Sequence, residues 1–282
     1  MALRTTFSLQ TPVVKNFEED AGYRRIEGQG TREATWQAWP GLHQLQTFDL
    51  MTFVPQGSRA VVIAPHPDDE VLAFGGLLAM LAQATLSEGA NHPPPLVVAV
   101  TDGEASHPGS QRWPPDRLAQ RRTLESEQSL QLLGMLAQQR VRLSIADGQV
   151  RENQNTLTRQ LQALLLPGDT VFSTWALDGH PDHEASAHAA ATAAAHRHCK
   201  HWQAPVWMWH WAKPGQPQVP WHRMHQLELP AAVLRRKLDA IQAHGTQLAW
   251  QDTGAPPVLT VPTLQRLMRP SEYLIAPVQE AF

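Results

Sequence analysis

The stretch VVIAPHPDDEVLAFGG, residues 61–76, decides the fold: it joins an apolar run to a helical pattern through a short polar turn. Residues 61–64 predict a buried strand, and the pattern from Val71 onward predicts a helix. The histidine and the three acids of this turn therefore lie between a strand and a helix. Because α/β proteins bind their ligands at this edge of a sheet, the turn is a candidate functional site.

A purely structural interpretation of the turn accounts for only part of it. Pro67 suits the first turn of a helix, and the three acids that follow, Asp68 to Glu70, are able to cap the free amide groups there. A capping turn requires no imidazole, however. His66 is therefore left unexplained by this interpretation.

Composition narrows the classes of partner. The chain of 282 residues has a formal net charge of -3 and no block of basic residues, which disfavours nucleic acid and acidic membranes. Cys199 is the only cysteine, which excludes an internal disulfide and a thiolate-rich metal site. Since the sequence shows neither a secretory signal nor a membrane span, we expect a cytoplasmic protein that acts on a small molecule.

From residue 59 onward, short apolar runs alternate with helical patterns. This alternation predicts an α/β fold with a Rossmann-like, mostly parallel sheet and helices on both faces. Residues 1–54 are expected to form a peripheral extension, and residues 55–282 the catalytic domain. The predicted strands are 60–64, 96–101, 141–146, 170–175 and 206–211, and the predicted helices are 71–84, 116–133, 156–166, 182–195 and 230–244.

A second turn repeats the first signal. The segment His180-Pro181-Asp182-His183 follows another apolar run and opens an alanine-rich helix. Both turns are expected at the carboxyl edge of one parallel sheet, where they can converge. Two unrelated capping turns that each add histidine explain this poorly. The convergence predicts a catalytic zinc site, with three protein ligands and an open position for water.

The spacing of these residues suggests separate roles. His66 and Asp69 are three positions apart on a tight turn and can bind one ion, whereas Asp68 projects differently and is free to accept a proton. On the second turn, His183 lies inside the start of the helix and is the better third ligand. His180 is then left to contact the substrate.

At these residues the sequence resembles the LmbE-like, or PIG-L, de-N-acetylases, whose members carry a PHPDDE-type turn and a later HPDH-type turn. The resemblance extends to TDGEASHPG, RRTLESEQSLQLLG, Asp147-Gly148 and KLDAIQAHGTQ, and so covers most of residues 59–273. It implies a Rossmann-like fold and one zinc ion per chain, with Fe²⁺ as an alternative metal. The implied ligands are His66, Asp69 and His183.

The resemblance also implies catalytic and substrate-binding roles. Asp68 would be the general base, and a protonated His180 the general acid or oxyanion stabiliser. The resemblance makes Arg122 and Asp147 candidate substrate contacts, with His244 as a further candidate from the last matching segment. Asp178 is a fourth candidate from its own position, where the chain departs from the family. Some relatives have a tyrosine where this chain has Leu177-Asp178-Gly179. The alternatives left open are a helical ion pair of Arg122 with Glu125, ordinary turns at Asp147 and Asp178, and a structural role for His244 at a helix end.

The expected function is zinc-dependent removal of an N-acyl group, most simply acetyl, from an amino-sugar-like small molecule or glycoconjugate. A metal-dependent amidase acting on a non-sugar or thiol-conjugate amide is an alternative. A second is an iron oxygenase, because two histidines and a carboxylate also bind iron. A third is a non-catalytic sugar-binding module, which the ten tryptophans would suit.

Overall fold

Eight strands form one sheet in the part of the chain that the computed structural model describes, residues 24–86 and 92–277. The strands are β1 (Gln46–Thr47), β2 (Ala60–Ala64), β3 (Leu96–Thr101), β4 (Arg140–Ile145), β5 (Thr170–Thr174), β6 (Lys200–Ala204), β7 (Met224–Glu228) and β8 (Ser271–Ile275). The helices are α1 (Glu33–Gln37), α2 (Pro40–His43), α3 (Leu50–Phe53), α4 (Asp69–Leu86), α5 (Pro115–Leu132), α6 (Gln154–Leu164), α7 (Pro181–His196), α8 (Met208–Trp211), α9 (Ala231–Gln242), α10 (Gly245–Leu248) and α11 (Val261–Leu267).

The order of the strands is β1-β7-β8-β6-β5-β2-β3-β4. Strands β6, β5, β2, β3 and β4 run parallel to one another, whereas β8 runs antiparallel to both β6 and β7. The chain proceeds from β2 to β3 on one side, and β5 lies on the other side of β2. The carboxyl ends of β2 and β5 therefore flank a switch point of the topology, where open α/β sheets form their ligand crevice.

Helices cover both faces of the sheet, as the alternation of elements predicts. Side chains of β2 point alternately to the two faces: Val62 joins the core cluster that contains α4, while Val61 and Ile63 join the cluster beneath α6 and α7. Helix α9 packs against α4 and α5 on the first face. The predicted fold class is confirmed.

Helix α4 is buried on nearly all sides, which explains its apolar composition. It is the one helix among the described residues with the length and hydropathy to cross a membrane, but 72% of that window is buried inside the protein. A core helix of an α/β domain meets the same two criteria.

The described part of the predicted N-terminal extension is not peripheral in its packing. Residues 1–23 lie outside the described residues, but Trp36 is fully buried and its indole nitrogen donates a 2.9 Å hydrogen bond to the carbonyl oxygen of Trp209. Phe53 belongs to the same core, and β1 pairs with β7. The boundary predicted after residue 54 therefore does not separate two cores.

The predicted strand 206–211 is wrong. The strand lies earlier, at β6, and the tryptophan-rich segment instead forms the single helical turn α8. The cause is the carboxylate of Asp178, which accepts hydrogen bonds of 2.9–3.0 Å from the backbone N–H groups of Val206, Trp207 and Met208. Three amides that converge on one carboxylate start a helical turn and cannot continue a sheet ladder.

Candidate active site

The first turn leaves β2 in a constrained conformation. Asp68 has φ +150°, a value that residues with a Cβ atom rarely adopt. Its backbone N–H donates to Glu70 Oε2 at 2.9 Å, and the backbone N–H of His66 donates to Asp69 Oδ2 at 3.0 Å. The acids of the turn therefore fix its backbone, and this directs the side chains of His66 and Asp68 into the cleft.

The second turn ends at the start of α7. His180 is the N-cap residue, and its Nδ1 accepts a hydrogen bond from the backbone N–H of Asp182 at 3.3 Å. Gly179 precedes it with φ +93°, and a Cβ atom there would lie 2.8 Å from the carbonyl oxygen of Arg24. Only glycine fits this position without a backbone shift.

The two turns meet at Asp69. Its Oδ2 lies 3.2 Å from His66 Nδ1 and 3.2 Å from His183 Nε2, so one carboxylate oxygen faces an imidazole from each turn. Ligand atoms of His66, His180 and His183 lie within 4.8 Å of one another. This cluster is therefore able to hold a metal ion.

The hydrogen bonding of the His183 ring indicates whether its Nε2 suits a metal ion. Its Nδ1 donates to Asp178 Oδ2 at 2.8 Å, so Nε2 carries the lone pair when the ring is neutral. That Nε2 is buried and forms no hydrogen bond with any described residue. Burial opposes protonation, but the charges of Asp69 and Asp178 raise the pKa of His183 to about 9. The anionic cluster thus favours a positive charge at Nε2, and a metal ion bound to the deprotonated nitrogen would supply it.

His66 is supported from behind by two carboxylates. Its Nε2 lies 3.2 Å from Asp147 Oδ1 and 3.3 Å from Asp182 Oδ2. Asp182 is itself fixed by the backbone N–H groups of Gly148 and Val150, at 2.7 and 3.2 Å. Although burial opposes it, hydrogen bonding to these carboxylates raises the pKa of His66 well above its ordinary value. This is the carboxylate–histidine arrangement that orients metal ligands in proteins.

Asp68 lies beside the cluster rather than in it. Its Oδ2 accepts a 3.1 Å hydrogen bond from Arg122, whose guanidinium also donates to the carbonyl oxygens of Pro67 and Gly103. Burial and the charge of Asp69 raise the pKa of Asp68 to about 7, although Arg122 opposes the shift. A carboxylate with a pKa near neutrality suits a general base.

His180 is neutral at ordinary pH, in contrast to the protonated form expected from the resemblance. Burial and the positive charges of His66 and His183 lower its pKa to about 3. Because Nδ1 accepts the backbone N–H of Asp182, the proton of the neutral ring lies on Nε2. A neutral imidazole with Nε2–H is able to donate a hydrogen bond to a developing oxyanion.

The four predicted substrate residues have different positions. Arg122 and Asp147 line the cleft, where each also holds a catalytic candidate, Asp68 or His66. Asp178 is fully buried behind His183, with both oxygens occupied. His244 is fully buried and outside the lining of the cleft. A direct substrate contact does not fit Asp178 or His244, because neither side chain reaches the cleft.

The structure adds residues that the sequence did not single out for the site. Asp182 orients His66, and Ser106, Gln247 and Leu259 line the cleft. Asp182 lies in the second turn, but in the sequence its position at the start of a helix suggests only an ordinary capping role. The alternative left open for Arg122, an ion pair with Glu125, is absent from the described contacts: Arg121 pairs with Glu125 at 3.0 Å instead.

Comparison with known proteins agrees with the geometry. Residues 61–195 match the model of the PIG-L family, described as GlcNAc-PI de-N-acetylase. The match spans both turns and the helices that follow them, so the predicted resemblance is confirmed. It supports the predicted class of enzyme, an N-deacetylase, and family deacetylases depend on a metal. No curated protein sequence is significantly similar to the chain.

Solved structures of PIG-L-like fold resemble the chain at low sequence identity. The zinc-inhibited form of teicoplanin deacetylase Orf2 is 17% identical, with a TM-score of 0.59 over 79% of this chain and 100% of that one. The A40926 pseudoaglycone deacetylase Dbv21 is 22% identical, with a TM-score of 0.56 over 78% and 96%. A 4-carboxy-2-hydroxymuconate hydratase from Pseudomonas putida, GalB, is 21% identical, with a TM-score of 0.50 over 66% and 78%. These likenesses establish the fold, which serves more than one reaction.

Proposed function

We propose that the protein is a metal-dependent hydrolase that removes an N-acyl group from an amino-sugar-containing small molecule or glycoconjugate. The observation that carries the proposal is the meeting of the two turns at Asp69, with the buried lone pair of His183 Nε2 facing the same point. A second support is Asp68, which lines the same cleft and has a pKa of about 7.

His66, Asp69 and His183 would hold the metal ion. Both histidines turn their other ring nitrogen to a carboxylate, as metal-binding histidines usually do. His180 differs, because its Nδ1 accepts a backbone N–H. The bound metal would polarise the amide carbonyl and acidify water.

The protein's own side chains then carry the proton transfers. Asp68 accepts a proton from the water that attacks the carbonyl carbon, and Arg122 holds its carboxylate in place. His180 donates its Nε2–H to the oxygen that becomes negatively charged. Protonated Asp68 next gives its proton to the nitrogen as the C–N bond breaks. The products are a carboxylate and a free amine.

The volume of the cleft limits how much of a substrate it can enclose. It encloses about 290 Å³, near the lower end of small-molecule sites. This volume accommodates the amide and its nearest groups, so a larger glycoconjugate would extend beyond it. The family description, which names a GlcNAc compound, supports an amino sugar as the amine component, and the teicoplanin and A40926 pseudoaglycone deacetylases among the structural neighbours support deacetylation.

The metal identity requires its own measurement. Zinc is our proposal from the two imidazoles and one carboxylate. The teicoplanin deacetylase structure is described as a zinc-inhibited form, so an excess of zinc should be avoided in the assay. Stoichiometric Zn²⁺ or Fe²⁺, added to metal-free protein without oxygen, separates a hydrolase from an iron oxygenase, because only the oxygenase requires oxygen.

The decisive experiment measures released amine over a panel of N-acylglucosaminides, from N-acetyl to N-hexanoyl, for the wild type and Asp68→Asn, with metal content measured in parallel. We expect the variant to keep its metal, because the amide is nearly isosteric, and turnover to fall roughly 10²-fold or more. Turnover that stays normal with full metal occupancy would remove Asp68 from the mechanism. Release of no amine from any compound by the metal-loaded wild type would contradict the proposed sugar substrate.

A further inference from the structure

The cleft changes its chemical character along the edge of the sheet. At the ends of β3 and β4 its lining is polar and includes Ser106 and Asp147. The catalytic candidates lie in the middle, at the ends of β2 and β5. Beyond β6 the lining becomes apolar, with Val206 and Trp207. The segment before α11 also lines the cleft: Leu259 donates its backbone N–H to the carbonyl oxygen of Gln247 at 3.0 Å, and Gln247 lies beside Ser106.

Trp207 has a fixed position relative to the catalytic centre. Its backbone N–H donates to Asp178 Oδ2 at 3.0 Å, and the same oxygen accepts from His183 Nδ1 at 2.8 Å. One buried oxygen thus positions both the tryptophan and a candidate metal ligand. The indole is partly exposed and lines the cleft. The hydrogen bond fixes the backbone from which this indole projects into the cleft.

An amide at the centre of the cleft must place its two substituents in different directions. The sugar carries hydroxyl groups that need hydrogen-bonding partners, which the β3 and β4 end supplies. The acyl substituent then lies at the β6 end. Val206 is already buried within the protein, so the apolar surface open to a ligand at this end is the partly exposed indole of Trp207. An acetyl methyl group would leave most of that indole uncovered, whereas a longer hydrocarbon chain would cover it.

We infer that Trp207 is a specificity-determining residue for the acyl group, and that the substrates are amino sugars with N-acyl chains longer than acetyl. The inference rests on the proposed function. The reaction is the same hydrolysis: water adds to the carbonyl carbon, the C–N bond breaks, and the amine takes the proton. The carboxylate product carries the longer chain.

The first test needs no turnover. The affinities of acetate, butyrate and hexanoate are measured by calorimetry on protein loaded with one equivalent of zinc. For the wild type we expect the affinity to rise roughly tenfold for each two methylene groups. In Trp207→Ala this dependence should largely disappear, and Trp207→Phe should retain part of it. Trp250→Ala is the matched control, because Trp250 is 71% exposed and lies outside the lining of the cleft.

The second test compares kcat/KM for N-acetyl-, N-butyryl- and N-hexanoylglucosamine. We expect the longer chains to be preferred and the loss in Trp207→Ala to grow with chain length. If the wild type hydrolyses the acetyl compound but chain length changes neither affinity nor kcat/KM, the inference is wrong and the proposed function stands. If carboxylate affinity depends on chain length and on Trp207 but no amide is hydrolysed, the proposed function fails and the apolar acyl site stands.

Discussion

The two turns share the letters His-Pro-Asp but use them differently. In the first turn, His66 faces Asp69, and Asp68 has a strained φ of +150° beside Arg122. In the second, His180 has an ordinary extended backbone and caps α7. Here the histidine that faces Asp69 is the one after the tripeptide, His183. Under the proposed function, an identical motif would therefore supply a metal ligand from one turn and an oxyanion donor from the other.

The two turns are joined because each places a carboxylate against a histidine of the other. Asp69 of the first turn faces His183 of the second, and Asp182 of the second faces His66 of the first. Neither turn completes a metal site alone. The adjacency of β2 and β5 in the sheet is what completes it, because it brings the ends of both strands to one crevice.

The largest effect is expected from breaking the shared centre. His183→Ala removes one of three ligands and leaves Asp69 facing a single imidazole, so we expect bound metal and activity to be lost together. Metal content by mass spectrometry and released amine by fluorescence check this. Because the cluster attracts a cation through both turns, His66→Ala should behave in the same way. A purified His183→Ala protein with stoichiometric metal and normal turnover would refute the ligand assignment.

Much of the fold follows from local sequence. The strand predicted at 60–64 has the bounds of β2, and 96–101 those of β3, because both are short, buried apolar runs between clear turn signals. The strand predicted at 206–211 failed for a non-local reason. Its alternating tryptophans fit a strand, but a carboxylate from a distant turn, Asp178, captures the amides of the segment.

The candidate site, like the fold, was predictable from the sequence only in part. The residues inside the two turns could be assigned from spacing and resemblance, because a strand followed by a helix places them at one edge. The supporting residues could not. Asp182 reads as a helix cap and Asp178 as the start of a turn, and only the three-dimensional contacts show that they orient His66 and His183. The neutral state of His180 depends on nearby charges that the sequence does not position.

The next largest effect is expected from His180, the histidine of the second turn that is not a proposed metal ligand. His180→Ala removes the Nε2–H donor, so we expect kcat to fall by roughly 10²- to 10³-fold, the usual loss for one oxyanion donor. Metal content should stay unchanged. Loss of metal in this variant would instead make His180 a ligand, which its distance to the other imidazoles permits.

The pH dependence of this variant sharpens the assignment. A pKa of about 3 keeps His180 neutral at every pH above that value, so its loss should lower the rate by the same factor from pH 5 to 10. Activity should still fall below about pH 7 as Asp68 takes up a proton. If the wild type instead lost activity at alkaline pH and His180→Ala did not, a protonated His180 would be required.

The smallest effect is expected from changing the carboxylates that contact the proposed ligands His66 and His183. The resulting loss of metal affinity should differ between the two turns. His66 has two such partners, Asp147 and Asp182, whereas His183 has one, Asp178. Loss of a partner of this kind typically weakens metal binding by about 10- to 100-fold. We therefore expect Asp182→Asn to lie at the lower end of this range, because Asp147 remains, and Asp178→Asn at the upper end.

Competition with a chelator gives both metal affinities, and thermal unfolding of the metal-free proteins serves as the control. That control matters for Asp178→Asn, because the same carboxylate also holds the amides that start α8. A drop in metal affinity larger than the drop in metal-free stability assigns the effect to His183 itself. Equal losses of affinity in the two variants would mean that Asp147 gives His66 no support, although its Oδ1 lies 3.2 Å from the ring.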